Sequence, residues 1–167
     1  MDNPSITIRR TEPGDYEAVR QIFASPSVVA GTLQMPFPSV EGWRKRLANP
    51  PEGLISLVAC ADGEVIGQTG LTYITRPRRR HVGQLGMAVR EDWQGKGVGS
   101  ALMAAVLEIA DNWLNLTRLE LTVYTTNDPA VRLYQKFGFV VEGTLTQYAF
   151  CDGAYADAYT MARLKRG

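Results

Sequence analysis

The sequence has almost no cysteine or histidine: two Cys, Cys60 and Cys151, and one His, His81, in 167 residues. Two thiols make neither a disulfide framework nor a cysteine-based zinc site, and a single imidazole adds too little, so no metal is expected. An excess of charge of either sign is also missing. Eighteen Lys and Arg face seventeen Asp and Glu, a formal net charge of +1. That leaves no basic footprint for nucleic acid and no sign of a membrane surface as partner. The longest apolar run, residues 101–107, is far short of the ~20 residues that span a bilayer. Met1-Asp2-Asn3-Pro4 shows no basic segment followed by an apolar one, so no secretory signal is expected and the expected location is cytoplasmic. What is present is an ordinary globular composition, 45% hydrophobic and 21% charged, long enough to bury a sizeable core. A single domain over residues 1–167 is expected. The one tilt is glycine, at 16 residues, slightly above the ~7% average.

Periodicity orders the chain. Ile6 and Ile8 alternate with polar residues in a strand over 5–10. Tyr16, Val19, Ile22 and Phe23 share one face of a helix over 14–24. Residues 25–39 hold three prolines and no period, which reads as a loop. Ser39 caps a short helix with Val40, Trp43 and Leu47 on its inner face. Strands over 54–61 and 64–74 flank Asp62-Gly63, the signal for a type I′ hairpin. A charged loop, residues 76–80, precedes a strand over 81–89 that contains Gly83 and Gly86. The longest helix spans 97–116, with Val98, Leu102, Val106, Ile109 and Trp113 at helical spacing. A strand over 118–124, a helix over 128–137 closed by Gly138, and a hairpin about Asp152-Gly153 complete the chain. Hairpins at both ends with a strand-helix-strand-helix unit between them give a mixed α+β layout rather than a doubly wound one.

The most informative segment is Gln94-Gly95-Lys96-Gly97-Val98-Gly99-Ser100, which leaves a strand and enters the longest helix. Glycine tolerates positive φ and close approach, so the amides here can converge on one point. The helix N-terminus adds unpaired donors and partial positive charge, Lys96 adds a full one, and no acid occupies the first turn. Together these suit a pyrophosphate. A Walker loop is excluded, because Lys96 is followed by Gly97 and position 90 is arginine. A dinucleotide fingerprint is approached but places Ser100 where a third glycine or alanine belongs.

The remaining pattern, Gln94-x-x-Gly97-x-Gly99, resembles the acetyl-coenzyme A loop of the GNAT N-acetyltransferases. A second block, Asn127-x-x-Ala130-x-x-Leu133-Tyr134-x-x-x-Gly138-Phe139, resembles the signature that follows it in that family, in the family's order. Thr32-Leu33-Gln34-Met35-Pro36 and Asp111-Asn112-Trp113-Leu114 are similar to a bacterial subgroup described as L-amino acid N-acetyltransferases. The resemblance implies a GNAT fold: a central, mostly antiparallel sheet with a splayed parallel strand pair and flanking helices. It implies acetyl-coenzyme A as co-substrate, held by residues 95–100 together with Gln94. The backbone of Met87, Ala88 and Val89 would pair with the pantetheine arm, Gly86 being the site for a bulge. Asn127, Ala130 and Leu133 would lie along the arm, and Lys136, with Arg132, would reach the 3′-phosphate. Tyr134 would protonate the departing thiolate.

The base is less legible. Glu120 shares a strand face with Thr122 and is the candidate, with His81 and a water relay as alternatives. The loop 32–38, through Gln34, Met35 and Phe37, and the last hairpin, through Gln147 and Tyr148, would wall an acceptor pocket suited to an uncharged side chain. The arginines of residues 76–80 would either attract an acceptor carboxylate or stay solvated. Neither cysteine lies in a thiol-activating motif, which favours direct transfer in a ternary complex over an acyl-cysteine. The expected acceptor is the α-amine of an L-amino acid. A protein N-terminus, aminoglycoside or polyamine acceptor, and a non-catalytic acyl-coenzyme A-binding module, stay open. The oligomeric state is left open; the last strand, Tyr155 to Leu164, could pair across a subunit in a homodimer.

Overall fold

The computed structural model describes residues 4–166; the start of the chain, read above for a secretory signal, lies outside the described residues. Seven strands form one sheet: β1 Thr7–Arg10, β2 Leu54–Ala61, β3 Glu64–Tyr73, β4 Val82–Val89, β5 Arg118–Tyr124, β6 Val140–Cys151 and β7 Ala154–Leu164. Their spatial order is β1-β2-β3-β4-β5-β7-β6. Every neighbouring pair is antiparallel except β4 and β5. Both Asp-Gly turns take the left-handed backbone that a type I′ hairpin needs, with φ of 51° and 77° at Asp62 and Gly63 and 49° and 80° at Asp152 and Gly153.

Helices cover both faces. On one lies α4, Val98–Asn112, whose Val98, Leu102, Met103, Val106 and Ala110 are buried. α5, Asp128–Lys136, begins at Asn127, whose side chain accepts a hydrogen bond from the Ala130 amide. On the other face lie α1, Tyr16–Ala24, α2, Pro26–Gly31, and α3, Val40–Ala48. Val19, Ile22 and Phe23 of α1 pack with Val28, Trp43, Val58 and Ala88, and Phe23 stacks on Trp43 with ring centroids 4.9 Å apart. Ser39 caps α3 by accepting from the Gly42 amide at 3.0 Å.

Four expectations change. The segment 25–39 begins with helix α2, because Ser25 turns extended and Pro26 takes the first helical position, where its missing N–H costs nothing. Val40 and Trp113 are exposed rather than packed; α4 stops at Asn112, and the Trp113 indole donates to Glu108 on the surface. Gly86 carries no bulge: β3 and β4 pair in unbroken register from Gly67↔Val89 to Tyr73↔Gly83. The last strand, β7, is hydrogen-bonded to β6 and, over Ala158–Leu164, also to β5, so only its start, residues 154–156, keeps an edge unpaired on the β5 side. The outer edge at this end of the sheet belongs to β6.

Asp111 of the subgroup motif serves the fold. The Asp111 carboxylate takes two hydrogen bonds from the Arg163 guanidinium at 2.9 and 2.8 Å, and Lys165 donates to its carbonyl. These bonds tie the end of α4 to β7.

Candidate active site

The site arises where two parallel strands part. β4 and β5 pair only at Val82↔Arg118, Gly83↔Leu119 and Gln84↔Glu120. Beyond Gln84 the strands diverge, and which backbone groups are left bare follows from the ladders. Arg90 N–H donates to Ile66 and Ile74 N–H to the Val82 carbonyl, so even-numbered residues of β4 turn their N–H and C=O toward β3. Odd-numbered residues turn theirs toward β5, which has gone. Leu85 spends its N–H on the last ladder step, to Glu120, so the Leu85 carbonyl and the backbone of Met87 and Val89 face the gap, and Gln94 fills part of it by donating to the Val89 carbonyl at 3.2 Å. Ala88, expected among the pairing residues, has its backbone directed to Gln68 on β3 and its methyl group buried against α1. Thr122 and Tyr124 present the opposite edge, since Thr125 N–H bonds β7 and fixes the odd residues of β5 on that side.

At the mouth of the gap the glycine loop enters α4. Gly95 and Gly97 have φ of 73° and 86°, a conformation that L side chains rarely adopt. Gly99 is glycine for another reason: it is helical, and a Cβ there would meet Leu133 Cδ2 at 2.9 Å. The six consecutive amides of residues 95–100 donate to no group among the described residues, and no side chain caps the helix. Six bare donors at a helix N-terminus form an anion site with the size and charge a pyrophosphate requires.

Gap and loop open into one cleft of about 1090 Å³, which continues between the sheet and the helices α2 and α3. Tyr134 lies in its wall, 7% exposed and edge-on to Phe139. Burial pushes its phenol up to about 12. No buried side-chain nitrogen or oxygen among the described residues lacks a partner, and no protein group bonds the phenol, so its hydroxyl is reached from the cleft. The opposite wall is latched: Tyr124 donates to the Thr32 carbonyl at 3.1 Å and meets Tyr148 edge-on at 6.4 Å. Tyr148 is turned inward by an irregularity in β6 between Leu145 and Ala149, where Gln147 has a φ of 52°.

The chain matches the family model described as Acetyltransferase (GNAT) family over residues 16–139. It belongs to the GNAT acetyltransferases. It is 50% identical to the L-amino acid N-acetyltransferase AaaT of Escherichia coli (strain K12), over 96% of this chain and 98% of that protein. Among solved structures, a putative phosphinothricin N-acetyltransferase superposes with a TM-score of 0.86 at 28% identity, covering 98% of this chain and 100% of that one. A spermidine N-acetyltransferase from Vibrio cholerae, in complex with CoA and spermine, superposes with a TM-score of 0.83 at 26% identity over 95% of each. The chain is thus an N-acetyltransferase, and its sheet and flanking helices superpose on those of solved N-acetyltransferases.

For this GNAT enzyme the structure sorts the sequence candidates. The cleft is lined by Met87, Ala88, Val89, Gln94, Gly95, Gly97, Val98, Gly99, Ser100, Asn127, Ala130, Leu133, Tyr134, Gln34 and Tyr148. Asn127 uses its oxygen to cap α5, while Nδ2 lies beside Gly31. Lys96 and Lys136 do not line the cleft; their ammonium groups lie over the Trp93 and Phe137 rings at 5.3 and 5.6 Å. Met35 and Phe37 point to solvent, 77% and 98% exposed, because Phe37 sits at a φ of 59° that turns the loop outward. None of the arginines in residues 76–80 lines the cleft, and Arg79 is paired with Glu120 at 2.8 Å.

Glu120 does not line the cleft either. Burial alone would raise its pKa, but hydrogen bonds from Arg118 and Gln84, with the charges of Arg79 and Arg118, outweigh burial and lower it. Arg118 in turn also holds Glu142. A carboxylate so neutralised is a poor base. Sequence reasoning missed Gln84, Gly70 and Tyr124 on the cleft floor, and Arg10 and Arg46 in its lining; Gly86 and Thr122, both named from sequence, lie on that floor too. Cross-strand register brings the floor residues together, and a single sequence carries no signal for it.

Proposed function

We propose that this enzyme transfers the acetyl group of acetyl-coenzyme A directly, in a ternary complex, to the α-amine of a small L-amino acid. The cleft's charge carries the choice of acceptor. Among the described residues its lining holds no aspartate or glutamate, and its only charged side chains are Arg10 and Arg46. A polyamine brings several ammonium groups and needs carboxylates to receive them. A field of this sign repels it and attracts an acceptor that carries a carboxylate beside its amine. The likeness to AaaT, described as an L-amino acid N-acetyltransferase, supports the same reading.

When bound, acetyl-coenzyme A supplies a thioester whose carbonyl carbon takes the amine and whose sulfur leaves. The amides of residues 95–100 hold the pyrophosphate, and the bare edge of β4 holds the arm as an added strand would be held. The Met87 N–H of that edge faces the negative charge that builds on the carbonyl oxygen. Tyr134 donates a hydrogen bond to the departing sulfur. The C–N bond forms as the C–S bond breaks; the nitrogen's proton passes to cleft water, and the thiolate is protonated from solvent. Water serves as base because, among the described residues, no aspartate, glutamate or histidine lines the cleft.

The expected assay result is thiol release from acetyl-coenzyme A with free amino acids and little with spermidine, aminoglycosides or peptides. Comparable kcat/KM for polyamines and amino acids would reject the acceptor reading. Tight coenzyme binding without turnover on any amine would favour the non-catalytic module. We read residues 1–167 as a single catalytic domain. Of the sheet's two outer strands β1 has 4 residues and β6 has 12, so self-association by edge pairing is best served by β6, which carries exposed Val140, Val141 and Phe150. A monomeric mass by light scattering would dismiss it.

A further inference from the structure

Two glycines stand side by side in the middle of the sheet. Gly70 on β3 pairs directly with Gly86 on β4, and both line the cleft. Strand interiors rarely tolerate glycine, and a pair of them opposite one another marks a place where something approaches the backbone closely. Neither is demanded by conformation, since neither has a positive φ. A Cβ on Gly86 would meet nothing within 4 Å, although β4 is an interior strand. One on Gly70 would meet Leu54 Cδ1 at 3.2 Å. The space above Gly86 is therefore open, and neither folding nor packing explains why no side chain fills it.

Its position gives it meaning. The α-carbon substituents of even residues on β4 project to the face carrying α1, α2 and α3, as Ala88 does. The backbone of the next odd residue, Met87, faces the gap. Gly86 thus lies on the acceptor side of the sheet, one residue from the edge that would hold the thioester. Around the pair the side chains are neutral: Leu54, Ser56, Gln68, Thr72 and Gln84, all lining the cleft. Ser56 accepts from Gln68 at 2.9 Å and bonds Thr11 at 2.7 Å, which fixes the floor beside the trough. α3 packs on α1 and borders the same cleft through Trp43, Arg46 and Leu47, so the trough opens into the cleft.

We propose that the Gly70–Gly86 pair is the seat of the acceptor's side chain, and that Gly86 sets the largest neutral side chain the enzyme accepts. The proposal rests on the amino-acid reading above. With its amine over the gap, an acceptor lays its side chain along bare backbone, which gains a close contact that a methyl group on Gly86 would forbid.

Gly86→Ala tests this, because its Cβ has room in the free protein and its φ needs no adjustment. We expect the variant to melt at or slightly above the parent's temperature, since alanine restricts the unfolded chain. Coenzyme affinity by calorimetry should stay within a factor of about 3. The readout is kcat/KM for a size series, alanine, leucine, phenylalanine and tryptophan. The ratio of large to small acceptors should fall by roughly 10- to 200-fold, the range for one misfitting methylene in a pocket. An equal loss for all acceptors, or no loss, overturns the seat. A parent enzyme that prefers alanine to the larger acceptors overturns it too. A parent that acetylates no amino acid overturns the acceptor reading first and the seat with it, and that outcome shows before any variant is made.

Discussion

Removing one oxygen from the wall of the cleft, by Tyr134→Phe, gives the sharpest test of the chemistry. The ring is buried and edge-on to Phe139, and phenylalanine keeps that packing. The hydroxyl satisfies no protein group, so its loss leaves no orphan and the melting temperature should hardly move. The catalytic magnitude follows from acidity. Burial pushes the phenol up to about 12, while a thiol sits near ~8.5. Complete proton transfer from phenol to thiolate would be uphill by roughly 3.5 units, about 4.8 kcal/mol. Tyr134 therefore acts by donating a hydrogen bond to a charged sulfur, worth about 1.5–3 kcal/mol. At about 1.4 kcal/mol per decade the variant should lose roughly 10- to 150-fold in kcat. The assay is steady-state thiol release at saturating acceptor near neutral pH, with coenzyme affinity measured separately and expected to be similar. An unchanged kcat removes Tyr134 from the mechanism. A loss well beyond ~10³-fold with intact affinity would mean that transfer is complete in the transition state, which a phenol this weakly acidic does not support.

Further outcomes follow from the same geometry. Because burial raises the Tyr134 pKa from 10.0 to about 12, the phenol is protonated in both folded and unfolded chains below the unfolded value. Stability should fall as pH rises from about 10 to 12, by about 2–3 kcal/mol, and the Tyr134→Phe variant should lack that step in alkaline denaturant titrations. Gly97→Ala forces a side chain into a φ of 86°; it should cost about 1–2 kcal/mol of stability and weaken coenzyme binding by calorimetry, because the six amides no longer converge. Glu120→Gln should leave the pH profile of kcat/KM unchanged, since this carboxylate is ion-paired and outside the cleft; loss of an acidic limb would restore it as the base. Asp111→Ala, which removes the bidentate pair to Arg163, should lower the melting temperature by several degrees for a loss of about 1.5–3 kcal/mol while kcat stays put.

Much of this protein is determined by short-range pattern. Alternation along residues 118–124, the helical stripe of Val98, Leu102 and Val106, and the two Asp-Gly turns are local, and they reappear almost residue for residue. The glycine loop is likewise local, because positive φ at Gly95 and Gly97 is a property of the backbone there. The expected base and acceptor walls are not local. Glu120 and Thr122 share a strand face, yet only the shape of the β4–β5 fork leaves Thr122 in the cleft and gives Glu120 to Arg118 and Arg79. Met35 and Phe37 look like pocket residues in sequence and point to solvent because the loop turns at Phe37. By itself, then, the sequence determined the elements, the phosphate-holding loop and the position of Tyr134, since each depends on residues within a turn or two of one another. Tertiary structure alone decided where β5 leaves β4, which edges are bare, that β6 rather than β7 lies outermost, and that Gly70 meets Gly86. Those features depend on register between segments far apart in the chain, and register is set by how faces pack against one another rather than by any residue's own preference.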